Sequence, residues 1–282
     1  MMRQGNRQLV CFSVIIPTYN AAETLRRCLE SITIQTFRCF EVILIDGCST
    51  DETLTIIKEF SDNLYIRYIS EPDLGIYDAM NKGIDRAKGE WIYFLGSDDC
   101  FYDENVLASI AKFAKNNTGK VIYGNVIMRG QNQWNLENAI FDGQYNTEKL
   151  IDRNICHQAI FYHRDIFRRN GRFTIKYVTS ADFDFNMRCH ANTEFVYMDL
   201  IIANFFVGGH STVTNDSKFH QDRGALLFKY YGRRIFSKKF LGARLYLQRA
   251  AFLKTSPLNL LQRICCALAY AKLKIQSILT WA

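Results

Sequence analysis

The first hundred residues switch regularly between two periodicities, and that switching limits the folds open to the chain. Ser13-Val14-Ile15-Ile16-Pro17 is a short, nearly continuous apolar run, as a strand buried on both faces requires. Leu25, Cys28, Leu29 and Ile32 then recur at helical spacing. Glu41 to Asp46 repeats the strand signal, and Leu54, Ile57 and Phe60 repeat the helical one. Ile66 to Ile69, Tyr77 to Ala87 and Trp91 to Leu95 continue as strand, helix, strand. Asn20 with Glu23, and Ser49 with Glu52, have the spacing of capping boxes and predict the starts of the first two helices. Such a series predicts an α/β fold with a mostly parallel open sheet flanked by helices and joined by right-handed crossovers. Ligands of such sheets bind beyond the carboxyl ends of the strands.

The residues at those ends are Thr18-Tyr19-Asn20, Asp46-Gly47-Cys48, Glu71-Pro72-Asp73 and Gly96-Ser97-Asp98-Asp99. Asp98-Asp99 is the sharpest of them, because a strand of almost purely apolar character opens at once onto two adjacent carboxylates. Like charges so close repel, and burial would raise a pKa. A Mg²⁺ or Mn²⁺ ion removes the conflict, since hard dications take carboxylate and phosphate oxygens together. The same triplet also suits a solvated turn. Asp46 could accept from a base or ribose, or could cap its loop. Pro17-Thr18-Tyr19-Asn20 lacks the glycines of dinucleotide-binding and phosphate-cradling loops, which disfavours both of those classes. Tyr19 could stack on a base, or the turn could be only a helix start.

The middle of the chain mixes strands and short helices. Val121 to Met128 and Ala159 to Tyr162 read as strands, Phe183 to Ala191 as a helix, and Phe195 to Phe206 as two short strands. After Asp222 acids disappear while Lys and Arg recur among large apolar residues. That composition predicts a basic, amphipathic helical tail over 221–282 that touches a membrane surface; the alternative is helices packed on the domain with a wet basic face. Residues 1–220 are then the catalytic region. The formal charge of +7 coexists with 28 acids, so it does not indicate a nucleic-acid partner. Nine cysteines, an odd number without a Cys-x-x-Cys pair, read as free thiols in a reducing cytoplasm. The polar start has no secretory h-region, and no apolar stretch reaches the ~18 residues of a spanning helix.

Pro17-Thr18-Tyr19-Asn20, Asp46-Gly47-Cys48-Ser49-Thr50-Asp51 and Gly89-Glu90-Trp91-Ile92-Tyr93-Phe94-Leu95-Gly96-Ser97-Asp98-Asp99 together resemble glycosyltransferase family 2 in order and spacing, over roughly residues 11–205. The run Glu71 to Gly83 is similar to the bacterial subgroup that builds surface polysaccharides. The resemblance implies a nucleotide-diphospho-sugar transferase fold of the GT-A type and an inverting hexosyl transfer. By the same carry-over, Pro17, Thr18, Tyr19, Asn20, Asp46 and Asp78 would lie along the nucleotide sugar, with Asp46 at the base. Asp98 would face the ribose or metal, and Asp99 would ligate the metal. The stretch Thr179 to Asp184 matches the acidic segment that holds the family's base, which places the base at Asp182 with Asp184 as the alternative. An Asp at that point is also a common helix N-cap. His157, Gln158 and Asp184 would meet sugar or acceptor hydroxyls, and His210 would reach the diphosphate or metal. Two departures stand out: Gly96 replaces an acid, and Met80 replaces an Arg near the diphosphate, a role Lys82 could fill.

The function implied is transfer of a sugar from a nucleotide-diphosphate donor, a UDP-sugar first, to a glycan or lipid-linked acceptor. The enzyme would be cytoplasmic and peripheral on the inner face of the plasma membrane. The competing reading is a nucleotide-sugar-binding scaffold of the same fold that has lost turnover. A sugar-1-phosphate nucleotidyltransferase would need a Gly- and Arg-rich loop after the first strand, where this chain has Pro-Thr-Tyr-Asn.

Overall fold

A computed structural model describes residues 11–130, 136–208 and 216–279. These residues divide into two compact units. Of the described residues, the first comprises 11–130, 136–143, 156–171 and 195–208; the second comprises 144–155, 172–194 and 216–279. The expected regions 1–220 and 221–282 divide the chain by role, and compactness groups it differently, since residues 144–155 and 172–194 join the tail.

The first unit is an α/β layer structure. Strands β1 (Phe12–Thr18), β2 (Phe40–Asp46), β3 (Ile66–Ser70) and β4 (Trp91–Phe94) pair in parallel in the order β3-β2-β1-β4. Helices α1 (Ala22–Thr33), α2 (Thr53–Phe60) and α3 (Ile76–Arg86) connect them. β1 and β2 are buried along their whole length, as their unbroken apolar runs require. Two further strands, β5 (Cys100–Phe101) and β6 (Val121–Arg129), lie on either side of helix α4 (Val106–Lys115) in the chain. The two-residue β7 (Ile140–Phe141), β8 (Ile160–His163) and β9 (Phe195–Phe206) complete the sheet. β8 runs antiparallel to both β4 and β6, whereas β9 runs parallel to β6 and antiparallel to β5. The sheet is therefore parallel at one end and mixed at the other. Phe195 to Phe206 forms one strand where two were expected. Its register against β6 shifts near Asn125, so a bulge absorbs the irregularity that the sequence suggests is a break.

Neither capping box forms. α1 begins at Ala22 after Ala21, α2 begins at Thr53 after Glu52, and neither flanking residue caps through its side chain. Instead the second loop caps both helices, and the first loop bonds back to it. Asp51 accepts from the N–H of Ala22 at 3.0 Å and from that of Thr53 at 3.1 Å, and Thr53 Oγ1 accepts from the Ala21 N–H at 2.8 Å. Asn20 sits at φ +47°, and its side-chain Oδ1 accepts from the Thr50 N–H at 2.9 Å. A neighbouring loop held at hydrogen-bond distance has displaced the local caps.

The second unit is helical among its described residues. It contains α5 (Thr147–Asp152), α7 (Ala181–His190), α8 (Ser217–Tyr231), α9 (Arg244–Phe252) and α10 (Leu260–Leu279), while α6 (Asp165–Asn170) belongs to the first unit. α7 is buried on almost every face. Arg223 of α8 is buried, and among the described residues it forms no ion pair with a carboxylate. It donates to the carbonyls of Ile151 and Asp152 and, at 2.9 Å, to the Tyr246 hydroxyl, with its guanidinium over the Phe183 and Tyr246 rings. The cation thus serves the C-terminal carbonyls of α5, where the helix dipole favours positive charge. No described helix is long and apolar enough to cross a membrane.

Candidate active site

β4 ends at Phe94, and the chain turns at once, with the Asp99 N–H donating to the Gly96 carbonyl at 3.1 Å. The turn directs both carboxylates to one place. Asp98 Oδ1 and Asp99 Oδ2 lie 2.7 and 2.6 Å from the point where a Cβ on residue 96 would sit. An acid at that position would collide with them, which gives a steric reason for the glycine. Asp99 is 1% exposed and accepts from two sides: Oδ1 takes the Phe206 N–H at 2.8 Å, and Oδ2 takes the Gln158 amide. Burial, with the Asp98 charge added, pushes its pKa up to about 8. The backbone of Asp98 is held by Arg27, which donates to its carbonyl at 2.6 Å while lying 3.6 Å over the Phe206 ring.

This donor set fits a hard dication. The two carboxylates converge, one of them costs free energy to ionise, and each Asp99 oxygen keeps a lone pair after its one hydrogen bond. Among the described residues no cluster of three or more His, Cys, Asp or Glu surrounds the place, so water and phosphate oxygens would complete the shell. His210 lies outside the described residues.

A second group gathers at the ends of β1, β2 and β3. Pro17 and Thr18 are buried, with the Thr18 hydroxyl 3.3 Å from the Ile45 carbonyl, while the Tyr19 ring is 66% exposed. Asp46 is fully buried and turned into its own loop. It accepts the N–H of Ser49 at 3.0 Å together with the hydroxyls of Ser49 and Ser70. It therefore shapes the loop in which a nucleotide would lie, with its carboxylate already occupied. Gly47 leaves a floor between Tyr19 and Asp73, because a Cβ there would meet Asp73 Oδ2 at 2.7 Å and the Tyr19 ring at 3.4 Å. Asp78, in the first turn of α3, takes the Leu74 N–H at 3.1 Å. Lys82 is committed to carboxylates, 3.2 Å from Glu71 and 3.4 Å from Asp78.

Gln158, expected against a sugar, is buried on Asp99, and its Oε1 takes the Cys156 thiol at 2.9 Å. His157 opens the short 3₁₀ turn just before it.

The remaining acids belong to the second unit. Asp182 lies inside the first turn of α7, two residues past the flanking Ser180, so it is not the N-cap. Asn154 donates to its Oδ2 at 2.6 Å and is itself held by Asn186 at 2.8 Å. Asp184 is closed off differently, by the Tyr230 hydroxyl at 2.6 Å and by Arg188 at 3.1 Å. Burial raises its pKa despite both partners. Asp184 is thus held by a hydroxyl and a guanidinium, and Asp182 by the Asn154 amide. Arg27, Asn154 and Asn186 carry no motif signal, and Asp73 stands in the sequence only as one more carboxylate beyond a strand.

The model of the family described as glycosyl transferase family 2 matches residues 13–171. The chain belongs to that family. A PGL/p-HBAD biosynthesis glycosyltransferase of Mycobacterium bovis is 44% identical over 216 residues, covering 74% of this chain and 82% of the relative. A chondroitin synthase of Escherichia coli is 28% identical over 210 residues, 71% of this chain but 29% of that larger protein. Among solved structures, S. aureus TarS 1-349 in complex with UDP-GlcNAc superposes with a TM-score of 0.63 at 20% identity, over 94% of this chain and 73% of that one. The mannosyltransferase PcManGT from Pyrobaculum calidifontis, in complex with GDP-Man and Mn²⁺, gives 0.59 at 18% identity, over 96% and 80%. The fold is thus the GT-A fold, and this family 2 member is a glycosyltransferase.

Proposed function

We propose that the enzyme moves a hexosyl group from a nucleotide-diphosphate sugar, a UDP-sugar first, to a glycan or lipid-linked acceptor, with inversion at the anomeric carbon. The convergence of Asp98 and the buried Asp99 above Gly96 carries the proposal. A Mg²⁺ or Mn²⁺ ion held by these two carboxylates would supply positive charge against the diphosphate as it leaves. Gln158 and the Phe206 N–H fix Asp99 in place, and Arg27 fixes the turn. Tyr19 offers a face to the base, and Asp46 holds the loop beneath it. Asp182 takes the proton of the acceptor hydroxyl. The hydroxyl oxygen bonds to the anomeric carbon from the side opposite the diphosphate, the sugar–phosphate C–O bond breaks, and its electron pair leaves with the diphosphate. The TarS and PcManGT structures, one with UDP-GlcNAc and one with GDP-Man and Mn²⁺, support a donor of this class.

A screen of nucleotide sugars against the purified chain, with and without Mn²⁺, tests the reading. Metal-dependent hydrolysis of one donor is the expected result. A folded protein that binds a donor but hydrolyses none, with or without Mn²⁺, would instead favour the nucleotide-sugar-binding scaffold.

A further inference from the structure

α10 has two apolar faces and uses only one of them inside the protein. Cys266, Ala269 and Leu273 are buried. On the opposite side Leu260, Leu261, Ile264, Leu268, Ile275, Ile278 and Leu279 are between 45% and 75% exposed. At about 100° per residue these outward side chains fall within an arc of roughly 100°, centred opposite the buried three. Scattered exposed leucines need no explanation, whereas a continuous stripe along a helix about 30 Å long does. The stripe is also extended at the helix's foot, where Phe252 and Leu253 are 64% and 40% exposed.

The charges around it identify the occupant. Lys272 and Lys274 are exposed and project on either side of the stripe at the same helical spacing. From Arg223 to the end the chain carries twelve Lys or Arg and no acid. An apolar band edged by cations matches the cross-section of an anionic bilayer surface, with acyl chains beneath phosphate headgroups. We propose that α10 lies flat in the headgroup region of an anionic membrane, with Ile264, Leu268 and Ile275 facing the acyl chains and Lys272 and Lys274 at the phosphates. The surface deepens the transferase reading, on which it rests for its purpose: it would keep the catalytic region where a lipid-linked acceptor is found.

The test uses the full chain and flotation with phosphatidylcholine vesicles, alone or mixed with phosphatidylglycerol. Wild type is expected to float with the mixed vesicles and far less with the neutral ones. Replacing Ile264, Leu268 and Ile275 by Gln, a good helix former at exposed positions, should weaken binding at least ~tenfold. Lys272→Gln with Lys274→Gln should weaken it by about tenfold and remove the preference for the anionic lipid. Wild type that stays unbound, or a triple variant that floats normally, would overturn the proposal. So would a dimer in light scattering that the triple variant converts to monomer without any vesicle binding, since the stripe would then be a contact between copies. Donor hydrolysis in lipid-free solution is measured for each variant. Its absence in all of them would count against the transferase reading and leave the vesicle result standing.

Discussion

The side-chain amide of Gln158 donates to Oδ2 of Asp99, joining the 3₁₀ turn before β8 to the end of β4. Gln158 is 3% exposed, so this bond forms away from water, and its Oε1 is satisfied in turn by Cys156. Gln158→Ala should leave a buried carboxylate with one donor fewer. A loss of ~1–3 kcal/mol in stability is expected, together with at least a tenfold fall in kcat/KM for donor hydrolysis. Urea denaturation and steady-state kinetics on one preparation would measure both.

Gly96→Ala tests the convergence of the two carboxylates. Gly96 is required by space and not by a left-handed backbone, since a Cβ would meet Asp98 and Asp99 oxygens at 2.7 and 2.6 Å. The side chains would have to part. Calorimetric titration of UDP should show Mn²⁺-dependent affinity weakened at least ~tenfold, whereas affinity without metal stays as in wild type.

The pH dependence of stability follows from Asp99. Its folded-state pKa of about 8 stands above the ordinary aspartate value of 3.8. The native state therefore holds a proton that the unfolded chain has released. With a chelator present, this group's stabilisation is complete below about 4, declines as pH rises, and is gone above about 8. Added Mn²⁺ should raise Tm more at pH 8 than at pH 6, because binding needs the ionised form. Asp99→Asn should flatten both trends. A Mn²⁺ effect on Tm that survives in Asp99→Asn would reject the metal role.

Asn154 donates to Asp182, the proposed base, and would position it. Asp182→Asn should retain donor affinity and lose acceptor transfer by several orders of magnitude. Asn154→Ala should lower kcat about tenfold with donor affinity unchanged, because it removes the hydrogen bond that orients the Asp182 carboxylate. Normal turnover by Asp182→Asn would move attention to another acid.

Arg223 supports a prediction of stability alone. Arg223→Met keeps much of the side-chain volume but leaves the Ile151 and Asp152 carbonyls without their donor. A loss of ~2–4 kcal/mol is expected, with the first unit's donor affinity retained in the surviving folded fraction.

The strands of the parallel half were legible because burial on both faces writes itself as an unbroken apolar run, and β1 and β2 extend past the expected ends by one or two residues at most. The acidic pair was legible because it follows such a run. What escaped was long-range. Asp51 reaches Ala22 across 29 residues, so the local capping-box pattern lost to a partner that no window contains, and Gln158 reaches Asp99 across 59, a contact equally invisible to any window. The unity of β9 was hidden because a bulge and a break look alike in one dimension. Arg223 resembled one more surface cation of a basic tail, and only packing shows that it is sealed among rings and carbonyls.

The shared hydrogen bonding of Asp51, Thr53 and Asn20 has an evolutionary corollary. The loops after the first two strands are one inheritable part, because Asp51 serves the starts of both α1 and α2 while Asn20 ties down Thr50 in the second loop. Swapping either one alone from a distant homologue would unravel the starts of α1 and α2 together, so changes in these segments are expected to have been fixed in pairs.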